Sequence, residues 1–192
     1  RTPPGRHGGE LGFQIGTGYF GCRDAEGRFD LGALMERVSA DPVRAIEIKL
    51  SQGAKPGAGG MLPAAKASAE IAAARGVPQG RDCVSPPGHS AFTGVGELVE
   101  FVERVATATG LPVGIKAAVG ETRFWEELAA MMQREGAGPD FITIDGGEGG
   151  TAAGPRAFTD HVALPFRLAL ARAYRPFAEA GITDRVVFIG SG

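Results

Sequence analysis

Ala45-Ile-Glu-Ile-Lys-Leu50 runs directly into Ser51-Gln-Gly-Ala-Lys-Pro-Gly-Ala-Gly-Gly-Met-Leu-Pro63. The short apolar run reads as a buried strand, and the stretch behind it as a flexible loop. Lys49, Gln52 and Lys55 sit where strand becomes loop. In α/β folds ligands bind at the carboxyl ends of strands, where such loops gather. Glycine lets the backbone come close to a ligand. Cationic side chains and an amide at this place point to an anionic one.

The same arrangement recurs along the chain. Apolar runs at residues 11–15, 112–118, 141–144 and 186–189 read as further buried strands, each followed by glycine or a polar loop. Helical periodicity lies between them. Residues 96–109 place Leu98, Phe101, Val102 and Val105 on one face, with Gly110 as a stop. Residues 121–135 do the same with Phe124, Trp125, Leu128 and Met132, and Gly136 follows. Ser68 can cap a short helix that reaches Arg75 and ends at Gly76. Residues 162–180 are helical in pattern; Pro165 suits a helix start, and Pro176 is expected to kink or break the helix.

Strands alternating with helices imply a parallel sheet with right-handed crossovers. No Gly-x-Gly-x-x-Gly opens a helix after the first strand, so a dinucleotide-type sheet is disfavoured. Glycine-rich loops after successive strands instead suit an α/β barrel, the (β/α)8 TIM barrel. Such a barrel takes about 250 residues, more than the 192 here. The expectation is therefore one partial barrel domain over residues 1–192, lacking strands at both ends.

Bulk properties remove several classes. The net charge is −2, with acids and bases intermixed, which excludes a basic nucleic-acid surface. No apolar run approaches the roughly 20 residues a membrane span needs, and no signal peptide is visible, so a cytoplasmic protein is expected. Cys22 and Cys83 are too few for a disulfide framework or an iron–sulfur site. They read as small buried residues. His7, His89 and His161 have no metal-ligand spacing, and no metal site is expected.

Three further stretches carry candidate chemistry. Ile144-Asp-Gly-Gly-Glu-Gly-Gly-Thr-Ala-Ala-Gly-Pro155 can turn backbone N–H groups toward an anion or lie against a flat ring. In Gly114-Ile-Lys-Ala-Ala-Val-Gly120, alternation puts Ile115 and Ala117 on one face and Lys116 on the other. A lysine in an apolar strand is costly unless it meets an anion. That anion is either a ligand or a neighbouring carboxylate, Glu47 or Asp145. Phe188-Ile-Gly-Ser-Gly192 offers hydroxyl and backbone donors at the end of a late strand. Elsewhere, His89 reads as a structural hydrogen-bonding residue on the loop side and Asp160 as a helix cap. Trp125 and Met131-Met132 read as a buried stripe, and Tyr19 as an aromatic of the first loop.

Together these loops resemble one family, the glutamate synthases, at their FMN-binding domain, and most of all the shorter bacterial and archaeal-type members. The resemblance rests on Gln14-Ile-Gly-Thr-Gly-Tyr-Phe-Gly21, Ile48-Lys-Leu-Ser-Gln-Gly-Ala-Lys-Pro-Gly57, Leu62-Pro-Ala-Ala-Lys66, Arg75-Gly-Val-Pro78, Ser85-Pro-Pro87 and residues 140–151 and 185–192. It implies a TIM barrel with FMN at its top that reduces 2-iminoglutarate, formed from 2-oxoglutarate and ammonia, to glutamate. It implies that Gln52, Lys116 and Asp145 contact the flavin, that Gly146, Gly147, Gly149, Gly150 and Thr151 line it, and that Ser191 and Gly192 begin its phosphate loop. It places Lys49, Lys55 and Arg75 at the dicarboxylate substrate, while no side chain is singled out as catalytic. It further implies an electron donor, ferredoxin or an NADPH-oxidising subunit, and an iron–sulfur cluster bound outside these residues. Physical chemistry suits those roles. A cation such as Lys116 favours a reduced flavin, and Arg75 and Lys55 could hold two separate carboxylates. The chain departs from the family pattern at Met61, Ala58 and Ala152. Two neighbouring readings are an N-methylglutamate-synthase-like FMN subunit and a non-catalytic flavin-binding or electron-relay subunit.

Overall fold

A computed structural model describes residues 8–148 and 154–192. Seven strands are present among them: β1 (Leu11–Ile15), β2 (Val43–Lys49), β3 (Met61–Leu62), β4 (Cys83–Val84), β5 (Val113–Ala117), β6 (Phe141–Asp145) and β7 (Val187–Ser191). The helices are α1 (Leu31–Ala40), α2 (Ala69–Arg75), α3 (Gly94–Thr109), α4 (Arg123–Glu135), α5 (Arg156–His161) and α6 (Phe166–Glu179). Five strands form one parallel sheet in the order β1-β2-β5-β6-β7, while β3 and β4 make a separate antiparallel ribbon. The main strands lie side by side in chain order, with no reversal. A doubly wound sheet reverses at a switch point; an arc wound in one direction does not. The architecture is thus an α/β parallel sheet of the kind a barrel wall is made from.

Period-two alternation divides each strand between two environments. Ile46, Ile48, Ile115, Ile142 and Ile144 are fully buried and join the helices in the core. There α3 packs on β5, α6 packs on β6 and β7, and the helices form a row α1-α3-α4-α6. Each such aliphatic side chain contributes about 1.5–3 kcal/mol by leaving water. On the opposite face the register sets Gln14, Glu47, Gly114, Phe141 and Val187 in one row and Lys49, Lys116, Thr143 and Ile189 in the next. Glu47 joins this face across three strands, accepting from Gln14 Nε2 and Thr143 Oγ1 at 2.6 Å each. Gly114 is required here: a Cβ on it would stand 2.2 Å from the Phe141 ring.

Helix ends follow capping chemistry. Ser68 Oγ accepts from Ile71 N at 3.3 Å, and Gly76, Gly110 and Gly136 close α2, α3 and α4 at φ 63, 67 and 72°. Other elements differ from expectation. Helix α1 has no counterpart in the sequence reading, because only Leu34 of its stripe is fully buried; its signal is Asp30, which caps Ala33 N at 3.1 Å. Residues 156–179 form two helices, with Pro165 at the start of α6 as expected. Pro176 does not break α6, which continues to Glu179. The buried Ala169, Ala173 and Phe177 hold that face against the sheet, and the cost of one lost ladder bond is absorbed within the last turn. Asp160 lies inside α5 and caps nothing at the start of α6. None of the described helices is long and apolar enough to cross a membrane.

Candidate active site at the carboxyl end of the sheet

The carboxyl ends of β1, β2, β5, β6 and β7 bring the candidate loops together. A cavity of about 280 Å³ lies between residues 14–20, residues 49–60 and the segment containing Ser85 and Pro87. A second, of about 240 Å³, lies between Lys49, Gln52, Lys116, Gly146, Ser191 and Gly192. Lys49 and Gln52 line both.

Lys49 is the hinge of this arrangement. It ends β2, and its Nζ donates to Gln52 Oε1 at 2.8 Å. Burial, and then the neighbouring Lys116 charge, hold its pKa below the ordinary lysine range. Both Lys49 and Lys55 line the first cavity with no ion pair among the described residues.

Lys116 is arranged differently. Its Nζ lies 2.9 Å from Asp145 Oδ1 and donates to Ser191 Oγ at 3.0 Å. Ser191 in turn donates to Asp145 Oδ1 at 2.7 Å, and Gly53 N donates to Asp145 Oδ2 at 2.7 Å. Burial pushes the Asp145 carboxyl up. The Gly53 N–H, Lys116 and Ser191 together outweigh it and hold the pKa below the ordinary value. Of the two carboxylates open to Lys116 in the sequence, Asp145 takes the ion pair, while Glu47 serves Gln14 and Thr143.

Backbone contact shapes the site as much as charge does. A Cβ on Gly53 would stand 1.7 Å from Gly146 O, so the loops after β2 and β6 touch through bare main chain. Of the glycine run after β6, Gly146 and Gly147 have their N–H groups engaged within the protein. Gly146 N donates to Ser191 O at 2.8 Å and Gly147 N to Leu164 O at 2.9 Å. What these glycines offer is close approach. Gly149, Gly150, Thr151 and Ala152 lie outside the described residues.

Arg75 stands apart from the other substrate candidates. It ends α2 and does not line either cavity. Its guanidinium lies 4.9 Å from the Phe20 ring centroid and donates to Cys83 Sγ at 3.8 Å. Phe20 itself lines the first cavity. Ala58 also lines that cavity, whereas Met61 is 69 % exposed on the β3–β4 ribbon opposite Val84.

Several contributors escaped the sequence reading. Ser51 Oγ accepts from Ala118 N at 2.9 Å, joining the ends of β2 and β5. Glu148 accepts from Phe166 N at the start of α6, 2.7 Å from Oε2, and borders the second cavity. Glu148 lies 18 residues before Phe166 in the chain, so no local sequence signal links it to the start of α6. Cys22 is fully buried and its thiol is pushed up to about 12 by burial, which leaves it inert. No cluster of metal-ligating side chains occurs among the described residues.

Fold and site together describe an α/β protein with a lysine-lined cavity at the carboxyl ends of its parallel strands. The family model described as "Conserved region in glutamate synthase" matches residues 7–192. The chain is 37 % identical over 185 residues to the glutamate synthase large subunit-like protein YerD of Bacillus subtilis, covering 96 % of this chain and 35 % of that protein. It is 36 % identical to the archaeal glutamate synthase [NADPH] of Methanocaldococcus jannaschii, covering 77 % of this chain and 29 % of that one. It is 38 % identical to the archaeal-type glutamate synthase [NADPH] of Thermotoga maritima, with 88 % and 32 % covered. The chain belongs to the glutamate synthase family, and spans about a third of the length of these relatives.

Proposed function

We propose that this chain is part of an FMN-dependent enzyme that reduces 2-iminoglutarate, formed from 2-oxoglutarate and ammonia, to glutamate. The observation that carries the reading is the pair of lysines, Lys49 and Lys55, that face the first cavity without a carboxylate partner among the described residues. A dicarboxylate supplies the missing charge. The sheet's one-way strand order supports a barrel closed by further strands of the intact protein.

The residues fit a flavin in three respects. Gly53 and Gly146 bring bare backbone together beside the second cavity, where a flat ring can approach. Lys116 offers a cation already oriented by Asp145 and Ser191. Gln52 offers an amide whose Oε1 is engaged by Lys49, leaving its N–H2 to donate. FMN, once reduced by the electron donor, would supply the hydride for the imine carbon. The protein's own residues bind and orient. Lys49 and Lys55 hold the carboxylates, and the Asp145 network keeps the loops after β2, β6 and β7 in one arrangement. The hydride and one proton convert C=N to CH–NH, so positioning accounts for most of what the side chains do. The names of the archaeal-type relatives support NADPH as the ultimate electron source, through a partner or a further domain.

A second reading, a flavin-binding relay that holds no dicarboxylate, is favoured by Arg75, whose guanidinium faces Phe20 and not the cavity. One experiment separates them. The intact protein, purified with its flavin absorbance bands, is mixed in the reduced form with 2-oxoglutarate, with and without ammonia. The first reading requires ammonia-dependent reoxidation without oxygen. Reoxidation only by an electron acceptor supports the second.

A further inference from the structure

The Tyr19–His89 pair is absorbed by none of the roles above. Tyr19 sits in the loop after β1, 1 % exposed, at φ 49° in the left-handed region that a bulky residue rarely adopts. Its hydroxyl oxygen accepts from Ser90 N and Ala91 N, both at 3.0 Å. It also lies 3.1 Å from His89 Nδ1. The other ring nitrogen, Nε2, lies 2.9 Å from the Lys49 carbonyl oxygen.

Proton positions follow from these partners. A carbonyl only accepts, so His89 Nε2 carries the hydrogen. In the neutral ring Nδ1 is then the acceptor. The tyrosine hydroxyl, already accepting from both backbone N–H groups, gives its own proton to Nδ1. Every donor thus meets an acceptor. Around the ring stand Tyr19 from the loop after β1, the Lys49 main chain at the end of β2, and the stacked Phe92 ring with centroid 4.7 Å away. No ionised side chain contributes to the shift of His89, which burial lowers and the Lys49 carbonyl opposes.

The network joins all three walls of the first cavity: residues 16–20, residues 49–60 and the segment that begins at Ser85. It does so at Lys49, where the β2–β5 pairing ends. We infer that His89 and Tyr19 are positioning residues that set Lys49 and the loop after β1 for ligand binding. This rests on the reading of the two cavities, both lined by Lys49, as the substrate and FMN sites. Protonating His89 would aim a second N–H at a phenolic oxygen already fully occupied, so the arrangement belongs to the neutral ring.

The test uses the intact protein, with Tyr19→Phe, His89→Ala and His89→Gln. Gln keeps a donor near the Nε2 position and replaces the ring by an amide that takes up no proton in this pH range. Hydrogen–deuterium exchange gives a readout independent of turnover, and FMN titration gives the affinity. Tyr19→Phe should free the Ser90 and Ala91 amides to exchange. His89→Ala should open residues 50–53 and weaken FMN about tenfold, the scale of one lost buried hydrogen bond. His89→Gln should restore protection at 50–53. Wild-type affinity should fall in acid as the pH passes through the lowered pKa of His89, and His89→Gln should abolish that dependence. Unchanged exchange at 50–53 in His89→Ala overturns the proposal even if FMN binds. A wild-type protein that takes up no FMN overturns the reading of the site instead, while the exchange experiment still decides the positioning role.

Discussion

The lysines of this site differ by their partners, and that difference carries the chemistry. Lys116 is paired with Asp145, whereas Lys49 makes no ion pair among the described residues and donates to the Gln52 amide oxygen. Because burial and Lys116 depress the Lys49 pKa, part of its charge is lost on the alkaline side before the ordinary value of 10.5 is reached. A bound carboxylate favours the charged form, so binding takes up a proton there. Affinity for 2-oxoglutarate should therefore weaken as pH rises toward 10, and Lys49→Met should flatten that dependence; calorimetry over a pH series checks both. Asp145→Asn removes one charge of a pair with three hydrogen bonds to it, which should cost about 1–3 kcal/mol in denaturant unfolding. Sequence alone narrowed the partner of Lys116 to Glu47 or Asp145, since alternation gives the face but not the register. Once β5 sits between β2 and β6, Thr143 and Gln14 satisfy Glu47, and Asp145 is left for the lysine.

Among elements, the loops after β2 and β6 are held by a backbone contact that admits no side chain. Gly53→Ala would place a methyl 1.7 Å from Gly146 O. It should separate the loops and lower stability by about 1–3 kcal/mol, the cost of overpacking, and lower FMN affinity with it. Gly57→Ala, at φ 72° with open space around it, tests conformation without a clash and should cost only about 1 kcal/mol. Thermal unfolding and flavin titration of the two variants distinguish the effects. The strands were legible as apolar runs, and Gly76, Gly110 and Gly136 as helix stops, because these signals are local. The β3–β4 ribbon was not, since two-residue strands carry no periodicity. The displacement of Arg75 onto Phe20 was not legible either. It depends on where α2 ends in space relative to the loop after β1.

At the scale of the molecule, one face of the sheet is closed by helices and the other carries Val187 at 63 % and Ile189 at 41 % exposure. Strands β1 and β7 are the two edges of the sheet. In the intact protein further strands are expected to cover that face. Limited proteolysis should find residues 8–192 resistant only when joined to the remainder. Stability should also fall in acid in two windows. His89 has a pKa below 6.5, so the unfolded chain binds its proton first and stability declines as pH drops from 6.5 toward the folded value. Asp145 has a pKa below 3.8, so its contribution is complete above 3.8 and is lost as pH falls through the folded value.

The most direct measurement is titration of 2-oxoglutarate into the intact, flavin-loaded protein and into its Lys49→Gln and Lys55→Gln variants. Saturable binding that each substitution weakens tenfold or more, with Lys66→Gln unchanged, is the expected result. Equal affinity in all four proteins, or no binding to the wild type, would contradict the assignment of an anionic substrate to Lys49 and Lys55.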